Sequence, residues 1–307
     1  MGNPGPSLTS TVQAREQLAG RAAIVRLIRR LAERTGLAAR RTARAPGPDN
    51  VHELRVATRR LRAVLDTFRE ELNPRLYAEL KFDLKNLTRE TGALRDADVQ
   101  RALLMPIILG TPELTPEIRR DCAISLEQAR SDARAQLRAR MRATRWLARL
   151  ARIRAAVRDP DLVAARTEPL ADFIGVALGR HLAGLRRRLG RRRFGAPRLH
   201  RLRLRIRSAR YAAESTLPLL KQRSAPLATT LQRLQDQLGA AHDLSEARLL
   251  LAGGLLPERI GAAFAAALAI DAERQQRRCR RKLRALAQDP PAEWQAFTDA
   301  IRQMTRA

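Results

Sequence analysis

Apolar positions along this chain recur three or four residues apart, the spacing of a helix face, and β-branched runs are absent. Proline and glycine divide the pattern into segments. In the first half the breaks are Pro46-Gly47-Pro48, Asn73-Pro74 and Gly110-Thr111-Pro112, which predict helices over 10–43, 50–72, 74–109 and 113–157. Asp49 or Asn50 is placed to cap the second of these, and Asn73 the third. A linker over 158–168 follows. The second half repeats the scheme, with helices over 169–193, 197–220, 225–253 and 257–288 and a short helix after Pro290-Pro291.

The two halves are copies of one pattern. Val51–Phe68 reads VHELRVATRRLRAVLDTF, and 148 residues later Leu199–Thr216 reads LHRLRLRIRSARYAAEST. His52 returns as His200, Arg55 as Arg203, Arg59 as Arg207 and Arg62 as Arg210. Trp146 and Ile153 return as Trp294 and Ile301, and Gly92-x-x-Arg95-Asp96 as Gly239-x-x-His242-Asp243. Two copies of so long a period indicate a tandem duplication rather than a solenoid. Each copy is the size of a four-helix bundle, so the expected fold is all-α: two four-helix bundles related by a pseudo-twofold axis, the first over about 10–157 and the second over about 169–305.

At roughly 100° per residue, Arg55, Arg59 and Arg62 fall within a sector of roughly 60° beside His52. Leu54, Leu61, Leu65 and Phe68 form a separate core stripe, and Arg60 points elsewhere. The copy behaves alike: His200, Arg203, Arg207 and Arg210 share one face, with Leu202, Ile206, Ala209 and Ala213 on the core side. Like charges four apart cost a helix about 0.2–0.5 kcal/mol per pair, yet both halves keep them. Lys81, Lys85 and Arg89 share a face of the third helix, opposite Leu80, Leu84, Leu87 and Leu94. The copy lacks that stripe, with Gln232 and Asp236 in place of Lys85 and Arg89. Arg130, Arg134, Arg138, Arg142, Arg145 and Arg149 make the fourth helix basic, and these are expected to solvate the outside of the bundle.

Composition turns the basic face into a statement about partners. Sixty Lys and Arg stand against 31 acids, a net charge of +29, and all but four of the cations are arginine. Such a charge repels itself in the compact state, and a polyanion offsets it. Arginine's planar fork donates hydrogen bonds in pairs and stays charged at any cellular pH, which suits phosphate. A histidine near a helix start adds a donor, the more so if anionic surroundings raise its pKa.

Other chemistry lacks its residues. There is no phosphate-cradling glycine loop and no nucleophile elbow. Four histidines and two cysteines show no metal-ligand spacing, so no metal or cofactor is expected. Asp96, Asp98 and Asp243 read as salt-bridge or capping residues rather than acid–base catalysts. Cys122 and Cys279 make no disulfide framework, the first residues do not form a signal peptide, and the longest apolar run is too short to span a membrane. A soluble cytoplasmic protein without enzymatic activity is expected.

His52-x-Leu54-Arg55-Val56-x-x-Arg59-Arg60-Leu61-Arg62 and Gly92-x-x-Arg95-Asp96-x-Asp98-Val99 resemble the signature of the CHAD domain, the conserved histidine α-helical domain. So do His200-x-x-Arg203-x-x-x-Arg207-x-x-Arg210-Tyr211 and Leu234-Gln235-Asp236-x-Leu238-Gly239-x-x-x-Asp243. The resemblance extends over about 10–305. It implies paired helical bundles with a basic central surface or channel, binding of inorganic polyphosphate and association with polyphosphate granules. Some members are fused to a CYTH-type triphosphatase, whose acidic metal-binding strands do not occur in this sequence; the expectation is a stand-alone binding module. Ser208 and Ala209 stand where the first half has Arg60 and Leu61, so the surface is expected to be weighted toward the N-terminal half. The expected polyphosphate-binding residues are His52, Arg55, Arg59, Arg62, Lys81, Lys85, Arg89, His200, Arg203, Arg207 and Arg210. A basic nucleic-acid-binding protein is the alternative, disfavoured because aromatics for stacking on bases are few.

Overall fold

The computed structural model of the chain describes residues 8–112, 114–142, 145–163, 170–189, 196–216, 225–250 and 258–288. They form ten helices and no strand. In the first half these are α1 (Leu8–Arg44), α2 (Pro48–Thr67), α3 (Pro74–Glu90), α4 (Gly92–Leu109), α5 (Pro116–Arg142) and α6 (Arg145–Ala156). In the second they are α7 (Leu170–Leu189), α8 (Ala196–Thr216), α9 (Ala225–Leu250) and α10 (Glu258–Gln288). The helix expected after Pro291, with Trp294 and Ile301, the later part of the linker and the Asp243 side chain lie outside the described residues.

The predicted boundaries need two corrections. First, α2 starts at Pro48, whose fixed φ suits a first helical position, after an extended Gly47. Asp49 and Asn50 therefore sit inside the first turn rather than capping it, and Asn50 Nδ2 donates to the Ala45 carbonyl at 2.8 Å. Asn73, by contrast, does cap α3, its Oδ1 accepting from the amides of Arg75 and Leu76. Second, the helix expected over 74–109 is two helices. The Thr91 hydroxyl donates to the carbonyls of Leu87 and Thr88 at 3.0 and 3.2 Å, and Gly92, a poor helix former, follows.

The predicted stripes face inward. Leu54, Leu61, Leu65 and Phe68 on α2, and Leu202, Ile206, Ala209 and Ala213 on α8, are all buried. Leu80, Leu84 and Leu87 on α3 and Leu94 on α4 join them in one core that draws residues from both halves. Each buried leucine contributes about 1.5–3 kcal/mol, which is how a chain with 3% aromatics assembles its interior. A smaller cluster around Leu104, Ile108, Cys122, Leu126 and Ala247 fastens α4 and α5 to α9.

Helices in matching places of the two halves touch: α2 packs along α8, and α1 meets α7. Both α2 and α8 begin four residues before their histidine. The duplicated His–Arg helices are thus neighbours at the centre of the molecule.

Candidate anion-binding surface

Packing α2 on α8 sets the two arginine rows against each other. Arg207 feels the charges of Arg59, Arg203 and Arg55, and burial together with that repulsion pushes its pKa down to about 10. Burial also lowers Arg59, helped by Arg95 and Arg210 and opposed by Tyr211, which shares a hydrogen bond with it. Arg55 is lowered by burial and then by Arg59 and Arg95, against the pull of Asp96. Its Nη1 donates to the Thr88 carbonyl at 2.9 Å, which fixes the side chain against α3. Arg55, Arg59, Arg203 and Arg207 are all half-buried, and none has an ion pair among the described residues. The Nε atoms of Arg59 and Arg62 are buried without a hydrogen-bond partner.

His52 is exposed at the edge of this cluster. Its pKa is lowered, by partial burial first and then by Arg95 and Arg59, with Asp49 opposing and Arg55 adding a smaller push. Without a ligand the imidazole is therefore biased toward its neutral form, the reverse of the rise expected in anionic surroundings. His200 is exposed in the matching place on α8.

The other expected residues spread outward. Arg62 lies near Tyr77, where it and Arg69 oppose the burial and the Asp66 hydrogen bond that push the phenol up to about 12. Lys81 is bound to Asp66, which also accepts from Tyr77 Oη at 2.7 Å. Lys85 and Arg89 are exposed and have no ion pair among the described residues. Arg210 is engaged: it pairs with Glu214 at 2.7 Å, donates to Gln232 and Gln235, and lies 4.3 Å from the centre of the Tyr211 ring. Arg60, left out of the basic face, turns across to Glu214 at 3.2 Å.

Two features escaped the sequence reading. Arg95 reaches the cluster from α4 and acts on His52, Arg55 and Arg59 together. A signal for it existed, since its repeat counterpart is another cationic-type residue, His242. The fourth predicted helix also does more than solvate the surface. Arg149 is buried and paired with Glu90 at 2.7 Å and Asp83 at 3.5 Å, while Arg130 grips Asp98 at 2.7 Å. These arginines tie α5 and α6 to α3 and α4, and Asp98 is the interhelical salt-bridge residue it was expected to be.

The all-helical frame is that of a CHAD domain. The family description "CHAD domain" matches residues 22–252, and the chain belongs to that family. Among solved structures it is similar to the CHAD domain from the plant Ricinus communis, at 21% identity and a TM-score of 0.56, covering 92% of this chain and 91% of that one. It is also similar to PptA from Streptomyces chartreusis, at 22% identity and a TM-score of 0.58, covering 90% and 99%. At these identities the likeness establishes the fold. No curated protein matches the chain. Among the described residues no helix is long and apolar enough to cross a membrane.

Proposed function

We propose that this protein binds inorganic polyphosphate across the α2–α8 seam and does not break it down. The observation that carries the reading is the uncompensated meeting of Arg59 and Arg207. Two cations from different halves are held half-buried with no carboxylate partner among the described residues, and the pKa of Arg207 is driven to about 10. A chain of phosphates relieves that repulsion at several points together. Arg55, Arg59, Arg95, Arg203 and Arg207 donate charge-assisted hydrogen bonds, and His52 adds one when protonated. Arg210, already neutralised by Glu214, supports the frame instead, so the site is weighted toward the N-terminal half. This ligand agrees with what the family resemblance implies, and the proposal extends to association with polyphosphate granules.

Nucleic acid fits less well. Tyr211, the aromatic on the basic face, is 5% exposed and covered by Arg60 and Arg210, so it offers no platform for a base.

The test is competition at one salt concentration between long-chain polyphosphate and single-stranded DNA of equal charge. Polyphosphate is expected to win. The double variant Arg59→Glu with Arg207→Glu should lose binding while keeping its helical circular dichroism. DNA winning, or the double variant binding normally, refutes the reading. Loss of polyphosphate chain length on incubation with a divalent metal would show an enzyme instead.

A further inference from the structure

A second concentration of arginine lies away from the α2–α8 seam. A cleft of about 310 Å³ opens between the C-terminal end of α2 and helices α7 and α8. Arg69 faces it from beyond α2, Arg180, Arg187 and Arg188 from α7, and Arg205 from α8. Two carboxylates, Asp66 and Glu70, share the lining, and both are occupied. Asp66 accepts from Tyr77 and Lys81, and Glu70 is paired with Arg180. Arg69 has its guanidinium 5.6 Å from the Tyr77 ring centre. Arg187, Arg188 and Arg205 have no ion pair among the described residues, so three cations meet across one space without local compensation.

This cleft is separate from the seam. Arg205 is two residues from both Arg203 and Arg207, hence roughly 200° around α8 from each of them. A ligand against Arg205 does not reach the seam arginines on the far side of the helix. The volume is several times the ~30 Å³ that a water molecule occupies in the liquid, enough for more than a lone ion.

We propose that the α2–α7–α8 cleft is an independent oxyanion site that takes a short inorganic oligophosphate. Arg187, Arg188 and Arg205 supply the charge-assisted hydrogen bonds, and the Arg180–Glu70 pair fixes one wall. The inference stands whether or not long polyphosphate is the ligand of the seam.

The probe is inorganic tripolyphosphate, titrated calorimetrically into the full chain. Wild-type protein is expected to show two classes of site. The Arg59→Glu, Arg207→Glu variant should keep one of them. Adding Arg188→Gln and Arg205→Gln to that variant should weaken the remaining class roughly tenfold or more, as expected for losing two charge-assisted contacts. Neutral replacements at these surface positions leave the fold in place, which circular dichroism verifies. Residual binding that ignores the Arg188 and Arg205 changes overturns the proposal, and so does the absence of any residual class in a folded seam variant. Binding lost only on changing Arg188 and Arg205 supports the cleft and removes the seam; binding lost only on changing Arg59 and Arg207 does the reverse.

Discussion

Replacing Arg207 with methionine should make the protein more stable and a weaker binder. The descent of Arg207 from the ordinary guanidinium value to about 10 corresponds to about 3 kcal/mol by which the fold disfavours the charged side chain. Burial and the charges of Arg59, Arg203 and Arg55 cause it. Because the folded-state pKa is lowered, the penalty is present in full at neutral pH and is relieved only as pH rises through about 10. Water and salt reach a half-buried side chain, so about 1–2 kcal/mol is the net gain expected from Arg207→Met. Methionine preserves much of the unbranched stem and its packing. For a chain of this length that gain raises the thermal midpoint by about 2–3 °C. The same change removes a charge-assisted donor worth about 1.5–3 kcal/mol to the ligand, so polyphosphate affinity should fall roughly tenfold to a hundredfold. The slope of log affinity against log salt should flatten by about 0.7, by analogy with single-stranded nucleic acid. Thermal unfolding and a binding titration in one buffer, repeated at three salt concentrations, measure all three quantities. A midpoint that falls, or an affinity and salt slope that do not change, refutes the account of a repulsive seam awaiting a polyanion.

Polyphosphate binding should take up a proton at His52. Burial, Arg95, Arg59 and Arg55 hold its pKa below the ordinary value in the free protein, and a polyanion cancels the arginine charges and adds its own. Affinity therefore rises as pH falls through about 6.5; calorimetry at pH 6 in buffers of different ionisation enthalpy should show the uptake, and His52→Gln should abolish it. Asp83→Ala should destabilise the fold by about 3 kcal/mol, since a buried carboxylate that accepts from Arg152 at 2.6 Å and lies 3.5 Å from the buried Arg149 is lost. Urea unfolding measures that loss, while polyphosphate stoichiometry per folded molecule should stay unchanged.

The repeated His–Arg helix was legible because its signal is a pattern of period 3.6 read twice. Helical angles alone separated Arg55, Arg59 and Arg62 from the core stripe and set Arg60 aside. Where each arginine ends its reach was not legible. Arg62 and Arg210 occupy equivalent places in the two copies, yet Glu214, one turn beyond Arg210, pairs with it, whereas Asp66, one turn beyond Arg62, is taken by Tyr77 and Lys81. The burial of Arg149 was hidden for a related reason. Its partners Asp83 and Glu90 are about sixty residues away in sequence, and no local periodicity reports such a pairing. The break at Thr91 was missed because threonine and glycine look like tolerable guests where the helical spacing of Leu84, Leu87 and Leu94 continues on either side. The hydroxyl's bond to the preceding turn, and the new axis it permits, are tertiary choices.

That break has a consequence for the site. Because α3 ends at Glu90 and α4 starts at Gly92 as a separate helix, Arg95 reaches the seam from the first turn of α4. One cation of the candidate site is thus supplied by a helix other than the two that bear the repeated motif. In the other half α9 continues unbroken through the matching place. The repeated sequence pattern is therefore carried on two helices in one half and on a single helix in the other, and the two sides of the proposed site are built unequally.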